Sequence, residues 1–329
     1  MTIRLTDAEI KDLVSRFHAL DMGEWDRSAV ERATAGLGWV LRSDDGGGLR
    51  FDGPLPDGWN FANQGHVHGS PREGCFTSLE CELANTEDEA VLGAVFKAAR
   101  EAAETWNGPA PIRRGPGPVL RWRRADTLLE IEWTTDAVQL QLLSAAVVEN
   151  HEYQLSKWSE RDDSVAELGV WQAFGNGHAG MEGAFIPGGH RARTWEEFGE
   201  WLRQTLAEMV TDMGRLDEEL VLVMRPAADE DDPRVVQLIC NARLLHMEAS
   251  IGTLDPQTLA GLGWQVGPED GFLESDVPHP QRRDAEPAAR MVVDTLRAHD
   301  VRLDDLRHTA WLNRSDCMLN LYGLGLPRE

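Results

Sequence analysis

The chain has 329 residues, with 32 Lys plus Arg against 56 Asp plus Glu and a formal net charge of -24. Such a charge repels phosphate backbones and anionic lipid surfaces, so neither nucleic acid nor membrane is an expected partner. The length exceeds one ordinary core and suits two of roughly 150 residues each.

No run approaches the roughly 18 apolar residues of a membrane span. The start, Met1-Thr2-Ile3-Arg4-Leu5, lacks the basic and apolar stretches of a secretion signal, so a cytoplasmic location is expected. Cys75, Cys81, Cys240 and Cys317 are too few to staple a chain of this size and read as reduced core residues. The lysines are only Lys11, Lys97 and Lys157 beside abundant arginine, a usage expected of a GC-rich genome such as an actinomycete's.

Taken in order, Thr6-x-x-Glu9 is a capping box that starts a first helix. A short helical run, Arg27 to Thr34, leads into Ala35-Gly36-Leu37-Gly38-Trp39, a pentapeptide that recurs at Ala260 to Trp264 after the run Pro256 to Ala260. Each copy precedes strands, an amphipathic helix and further strands, which suggests two related, duplicated modules in which a helix packs its end on a buried Trp. Trp59, in Pro56-Asp57-Gly58-Trp59-Asn60, lies in a loop context and is a candidate for contact with a partner.

His66 and His68 near Cys75 and Cys81 are ligand-type residues, but their spacing matches no zinc signature, and Cys81 shares a strand face with Leu79 and Leu83. Period-two alternation sets Leu79, Cys81 and Leu83 against Glu80 and Glu82; Leu129, Ile131 and Trp133 against Glu130 and Glu132; and Val138, Leu140 and Leu142 against Gln139 and Gln141. That pattern predicts antiparallel strands with one buried and one wet face, and it explains Glu130 and Glu132 without acid or base chemistry. A second capping box, Thr86-x-x-Glu89, starts a helix to about Trp106 with Ala90, Val91, Ala94, Val95, Ala98, Ala99 and Ala102 on one face. The Pro/Gly-rich piece Gly108 to Pro118 reads as a loop within the module.

The stretch 156–193 holds the charged run Glu160-Arg161-Asp162-Asp163 and a glycine-dense segment, and is the expected connection between a module over 1–155 and one over 194–329. Trp158, in a polar context there, is the second candidate for partner contact. Within the same stretch Val170 to Phe174 is open to reading as a strand of the second module. Gly175, Gly177 and Gly180 have dinucleotide-loop spacing, but the following residues cannot open a helix and no βαβ pattern surrounds them.

A third capping box, Thr194-x-x-Glu197, starts a helix with Trp195, Phe198, Leu202, Leu206, Met209 and Met213 on one face. Leu220 to Met224, Val235 to Cys240 and Leu244 to Ile251 form a three-strand meander. The Asp229 to Asp232 cluster lacks the Gly and terminal Glu of a calcium loop and reads as a solvated turn. A helix from about Asp284 to His299 and strands near His308 to Leu324 complete the chain. The fold class is therefore α+β: two tandem modules, each an antiparallel sheet with helices packed on one face. No G-x-S-x-G elbow, H-E-x-x-H pair, P-loop or kinase signature is present, so no catalytic residue, cofactor or metal is expected.

Thr194-Trp195-Glu196-Glu197-Phe198, Val235-Val236-Gln237-Leu238, His246-Met247-Glu248-Ala249, Leu262-Gly263-Trp264 and the helix Ala288 to Ala298 together resemble the actinobacterial peptide-binding chaperone domains grouped with type III secretion chaperones and YbjN. The resemblance covers roughly Thr194 to Leu312. The first half, with Trp25, Leu37-Gly38-Trp39, Leu120-Arg121-Trp122 and Glu130-Ile131-Glu132-Trp133, is similar to an uncharacterised actinobacterial domain met in the same company. What the resemblance implies is a non-enzymatic chaperone or adaptor that holds a polypeptide client, such as a secreted toxin or effector. The fused tandem also bears on the homodimer usual for secretion chaperones, since the two modules can pair within one chain in its place. Rival expectations are an immunity or regulatory protein that binds one folded partner, and an enzyme without recognisable motifs.

Overall fold

A computed structural model describes residues 3–55, 58–64, 75–157, 169–175, 191–227, 234–252, 254–266 and 272–329. The chain divides into two compact units, the first built from Met1–Arg113 with Gly117–Gln154 and the second from Arg114–Pro116 with the chain that ends Ile186–Glu329. Both are α+β with antiparallel strands.

In the first unit, helix α1 (Asp7–Ala19) begins at a complete capping box: Thr6 Oγ1 accepts from Glu9 N, and Glu9 Oε2 accepts from Thr6 N at 2.8 Å. Helix α2 (Arg27–Leu37) is capped by Asp26, which accepts from Ala29 N at 2.7 Å. Helix α3 (Glu89–Asn107) starts two residues later than its sequence box suggests. Asp88 is its N-cap, and Thr86 Oγ1 instead accepts from Asp88 N. Its buried face is Leu92, Val95, Phe96, Ala99, Ala102 and Ala103, while Ala90 and Ala94 are exposed. The expected face was rotated because an alanine-rich run has no sharp apolar edge; the large side chains Leu92 and Phe96 decide which side is buried.

The strands are β1 (Ile3–Arg4), β2 (Val40–Asp44), β3 (Gly48–Asp52), β4 (Asn60–Asn63), β5 (Ser78–Asn85), β6 (Ile112–Gly115), β7 (Val119–Arg123), β8 (Thr127–Trp133) and β9 (Ala137–Ser144). Their antiparallel pairings run β2-β3-β4-β5-β9-β8-β7, with β1 beside the far end of β5. The segment read as a loop, Gly108 to Pro118, thus contains β6, whose end groups with the second unit; there Gly115 O accepts from Val170 N at 2.7 Å. Phe96 of α3 packs on Trp133 with ring centroids 5.6 Å apart, and α1 packs against α3.

The other side of these strands is not wet. Glu130 is 1% exposed and Arg121, directly opposite on β7, is 2% exposed. Arg121 forks between Glu130 and Glu152 of helix α4 (Ala145–Lys157), with 2.9 Å to Glu152 Oε1. The reading of Glu130 as a solvated residue is corrected: two-residue alternation reports two sides but not what covers each.

In the second unit, β10 (Trp171–Gly175) precedes helix α5 (Trp195–Leu216), which is followed by β11 (Leu220–Pro226), β12 (Val236–Cys240), β13 (Leu244–Ser250), helix α6 (Pro256–Gly261), β14 (Gln265–Val266), β15 (Phe272–Pro278), helix α7 (Ala285–Ala298), β16 (Leu306–Leu312) and β17 (Cys317–Asn320). Phe198, Leu202, Leu206, Met209 and Met213 of α5 are buried as the spacing predicts, and α5 packs along α7. Thr194 caps α5 by accepting from Glu197 N at 3.1 Å, but Glu197 reaches back to Arg193 N, not to the cap. The sheet order is β10-β17-β16-β11-β12-β13-β15-β14. Val170 to Phe174 is thus in large part a strand of this unit.

The repeated pentapeptide adopts one local structure twice. Gly38 N donates to Ala35 O and Trp39 N to Thr34 O; Gly263 N donates to Ala260 O and Trp264 N to Leu259 O. Gly38 and Gly263 have φ of +76° and +105°, values that end a right-handed helix and favour glycine, and both tryptophans are buried. The likeness is local. In the first unit the strands after α3 join the sheet through β9 on β5, whereas in the second the strands after α7 join through β16 on β11.

Candidate functional site

Cys81, Cys240 and Cys317 are buried free thiols and Cys75 is a half-buried one. Burial pushes the Cys240 thiol up to about 12 and raises Cys81 as well, so neither is a ready nucleophile. His66, His68, Gly177, Gly180, Asp229 to Asp232 and Trp158 lie outside the described residues.

Trp59 is 37% exposed at the start of β4. Its backbone is clamped to β5: Trp59 N donates to Glu82 Oε2 at 2.9 Å and Glu82 N to Trp59 O at 2.9 Å. The ring lies 5.1 Å from Phe61, and the Arg50 guanidinium sits 4.6 Å from its centroid. This cation and aromatic stack holds the indole while leaving part of it open. Close by in the same sheet, β2 is exposed along its whole length and includes Val40 and Leu41 at 64% and 45% exposure, an edge of the kind to which an extended chain adds as a strand. A cleft of about 550 Å³ in this unit is lined by Trp25, Cys75, Phe76, Arg123, Ser144 and Glu149, with Glu149 engaged by Arg123.

The larger constellation is in the second unit. One sheet face carries α5, as the hydrogen bond from Trp171 Nε1 to Asp212 of that helix (2.8 Å) shows. On the opposite face, register aligns one side chain from each of several adjacent strands. Phe174 is opposite Met318, Met318 opposite Trp311, Trp311 opposite Val221, and Val221 opposite Ile239. The line continues from Ile239 to His246 and from His246 to Asp276. Phe174, Met318, Trp311 and Ile239 are half-buried, and Val221 between Trp311 and Ile239 is buried. A parallel line two residues along is mostly polar, with Thr309 opposite Val223, Val223 opposite Gln237, Gln237 opposite Glu248 and Glu248 opposite Glu274.

The apolar line ends in a charged cluster. His246 Nδ1 lies 2.6 Å from Asp276 Oδ1 and its Nε2 lies 3.0 Å from Glu248 Oε1. Partial burial works against a charged ring, but hydrogen bonds to the Asp276 and Glu248 carboxylates outweigh it and hold the His246 pKa above its ordinary value. Donor atoms of His246, Glu248 and Glu274 lie within 4.8 Å of one another, so these three residues could hold a cation. Both ring nitrogens are engaged by carboxylates, an arrangement that favours the protonated imidazole. The cluster remains net acidic.

The sequence singled out Trp59 and missed this line. A signal was present: β11 reads Leu220-Val221-Leu222-Val223-Met224, apolar in both phases, and a strand of that kind has work on both faces. Joining Val221 to Trp311, Met318 and Phe174 needs the register, which spacing along one strand does not supply.

No helix among the described residues is long and apolar enough to cross a membrane. No curated protein and no solved structure matches the chain. Residues 8–144 match the model of DUF6301, a family of unknown function, and residues 188–315 match that of TY-Chap3, the T3SS (YopN, CesT) and YbjN peptide-binding chaperone 3 family.

Proposed function

We propose that this protein is a non-enzymatic polypeptide-binding chaperone or adaptor that holds a client protein. The observation that carries the reading is that the TY-Chap3 match spans most of the unit whose sheet presents a largely half-buried apolar line ending in carboxylates. Apolar side chains on neighbouring strands give sequence-tolerant contact area, and the acidic end favours clients with basic residues. The client class we favour is a secreted toxin or effector held in the cytoplasm before export, with Trp59 and Trp158 as further contacts and 156–193 as the connection between the two modules.

The test is purification of the full chain from its native cells at low salt, identification of retained polypeptides by mass spectrometry, and reconstitution of each with the purified chain. A polypeptide that rebinds stoichiometrically and is kept from aggregating is the expected result. Rebinding of one folded partner with no effect on aggregation would favour the immunity or regulatory reading. Recovery of no polypeptide, together with turnover of a small molecule, would overturn the proposal in favour of an enzyme.

A further inference from the structure

We infer that the occupant of the second unit's open sheet face is an amphipathic helix of the client, laid across the strands with its apolar side on Phe174, Met318, Trp311 and Ile239 and a Lys or Arg at one end against Asp276, Glu248 and Glu274. This rests on the polypeptide-binding reading above and specifies the form and chemistry of the bound segment.

Spacing separates a helix from an extended chain. With buried Val221 between Trp311 and Ile239, the apolar residues occupy five consecutive strands, from β10 to β12. At the roughly 4.8 Å separation of paired strands, the four intervals cover roughly 19 Å. Successive turns of a helix return a side chain to one face every 5.4 Å or so, which gives roughly 22 Å over four turns. An extended chain returns a side chain to one face roughly every 6.7 Å, so its fifth contact falls roughly 27 Å away and out of phase. The helix keeps step with the strands, and the extended chain does not.

Backbone chemistry points the same way. Within the sheet the peptide groups of β17, β16, β11 and β12 already pair with neighbours on both sides, so the face offers a crossing chain no ladder to join. A segment pressed on it must satisfy its own N–H and C=O groups, and a helix does so internally. Extended segments belong instead at edges such as β2.

Charge fixes the direction. Beyond Ile239 the line meets His246, Asp276, Glu248 and Glu274, whose side chains sum to a net negative charge even with the imidazole protonated. A basic residue about two turns past the last apolar contact of the docked helix meets Asp276, which lies two strands beyond Ile239, is 59% exposed at its side chain and is available to it.

The experiment uses the full chain and three synthetic peptides of about six helical turns with identical composition. One has apolar residues at helical spacing and Lys at one end, one has the same residues in alternating order, and one is the first with a central Pro that breaks the helix. Fluorescence anisotropy should show the helical peptide binding at least tenfold more tightly than either control. Trp311→Glu should lower its affinity at least tenfold, and Asp276→Lys should lower it several-fold and be rescued by a peptide whose terminal Lys is changed to Glu. The rescue distinguishes a lost contact from a misfolded variant, and thermal unfolding of both variants checks the fold.

Equal binding of all three peptides, with no effect of Trp311→Glu, would overturn the helix proposal while leaving polypeptide binding standing at another surface. Binding of none, together with no client recovered in the preceding experiment, would overturn both. A concentration-dependent dimer that Trp311→Glu dissociates would assign the face to a second copy and overturn the client helix.

Discussion

In the first unit, the strand side turned away from Trp133 and α3 is filled: Arg121 and Glu130 are sealed beneath Glu152 of α4. In the second unit, the side turned away from α5 presents Phe174, Met318, Trp311 and Ile239 half-buried, one per strand. A sheet face can therefore be closed by an internal ion network or left as contact area, and the residue types differ accordingly. Charges that are buried must be fully partnered, whereas an apolar line tolerates water at a modest cost and is free to exchange it for a partner. The first face is occupied by ion pairs, and the second presents apolar contact area.

The two faces differ most in what they lose at Arg121 and at Trp311. Arg121→Met removes the guanidinium that buried Glu130 shares with Glu152, which should cost about 3–5 kcal/mol and show as a large fall in the urea midpoint. Trp311→Ser, on the open face, should cost only about 1 kcal/mol. Equal losses would mean that the two faces are not different in kind.

A smaller effect, of a few kcal/mol at most, is expected from acid. His308 on β16 is 3% exposed, and burial pushes its pKa down to about 4 from 6.5, with Arg328 adding to the depression. Between those values the unfolded chain binds a proton that the folded one refuses. The contribution of His308 is thus full above pH 6.5 and is lost as the pH falls toward about 4. His246 on the open face has the opposite sign, because its raised pKa stabilises below its ordinary value and the gain fades as pH rises through the raised one. Urea titrations across this range should show a shallower acid decline for His308→Asn than for the parent chain, and an unchanged slope would contradict the assignment.

Removal of the Thr6 cap is expected to cost about 1 kcal/mol. Thr6→Ala loses the acceptor for Glu9 N, and circular dichroism with thermal melting would register it. The smallest stability effect should come from Trp59→Ala, within about 0.5 kcal/mol as for an exposed site, while client capture falls by more than that loss explains. A parallel fall in both would reduce Trp59 to a packing residue for Arg50 and Phe61.

What the sequence made legible follows from which signals are local. Capping at Thr6, the buried stripe of α5 and the meander β11 to β13 depend on residues a few positions apart, and the structure has them. The pentapeptide was legible as a helix end on a buried Trp for the same reason. Glu130 was misread because its partner Arg121 lies on β7 and Glu152 on a helix beyond, contacts fixed only once the strands pair. The open apolar line was invisible as a unit, since Phe174 and Met318 are far apart in sequence and meet only through the pairing of β10 with β17.

The proposed binding of a polypeptide on the second unit's apolar sheet face is testable in cells. Its most direct test is a photoreactive phenylalanine analogue placed at position 311 in one full-length variant and at the exposed Arg32 in another, irradiated in native cells. A discrete polypeptide adduct at 311, lost when Ile239→Glu is added, and none at 32 is the expected result. Equal labelling at both positions, or adducts at 311 that Ile239→Glu leaves unchanged, would contradict it.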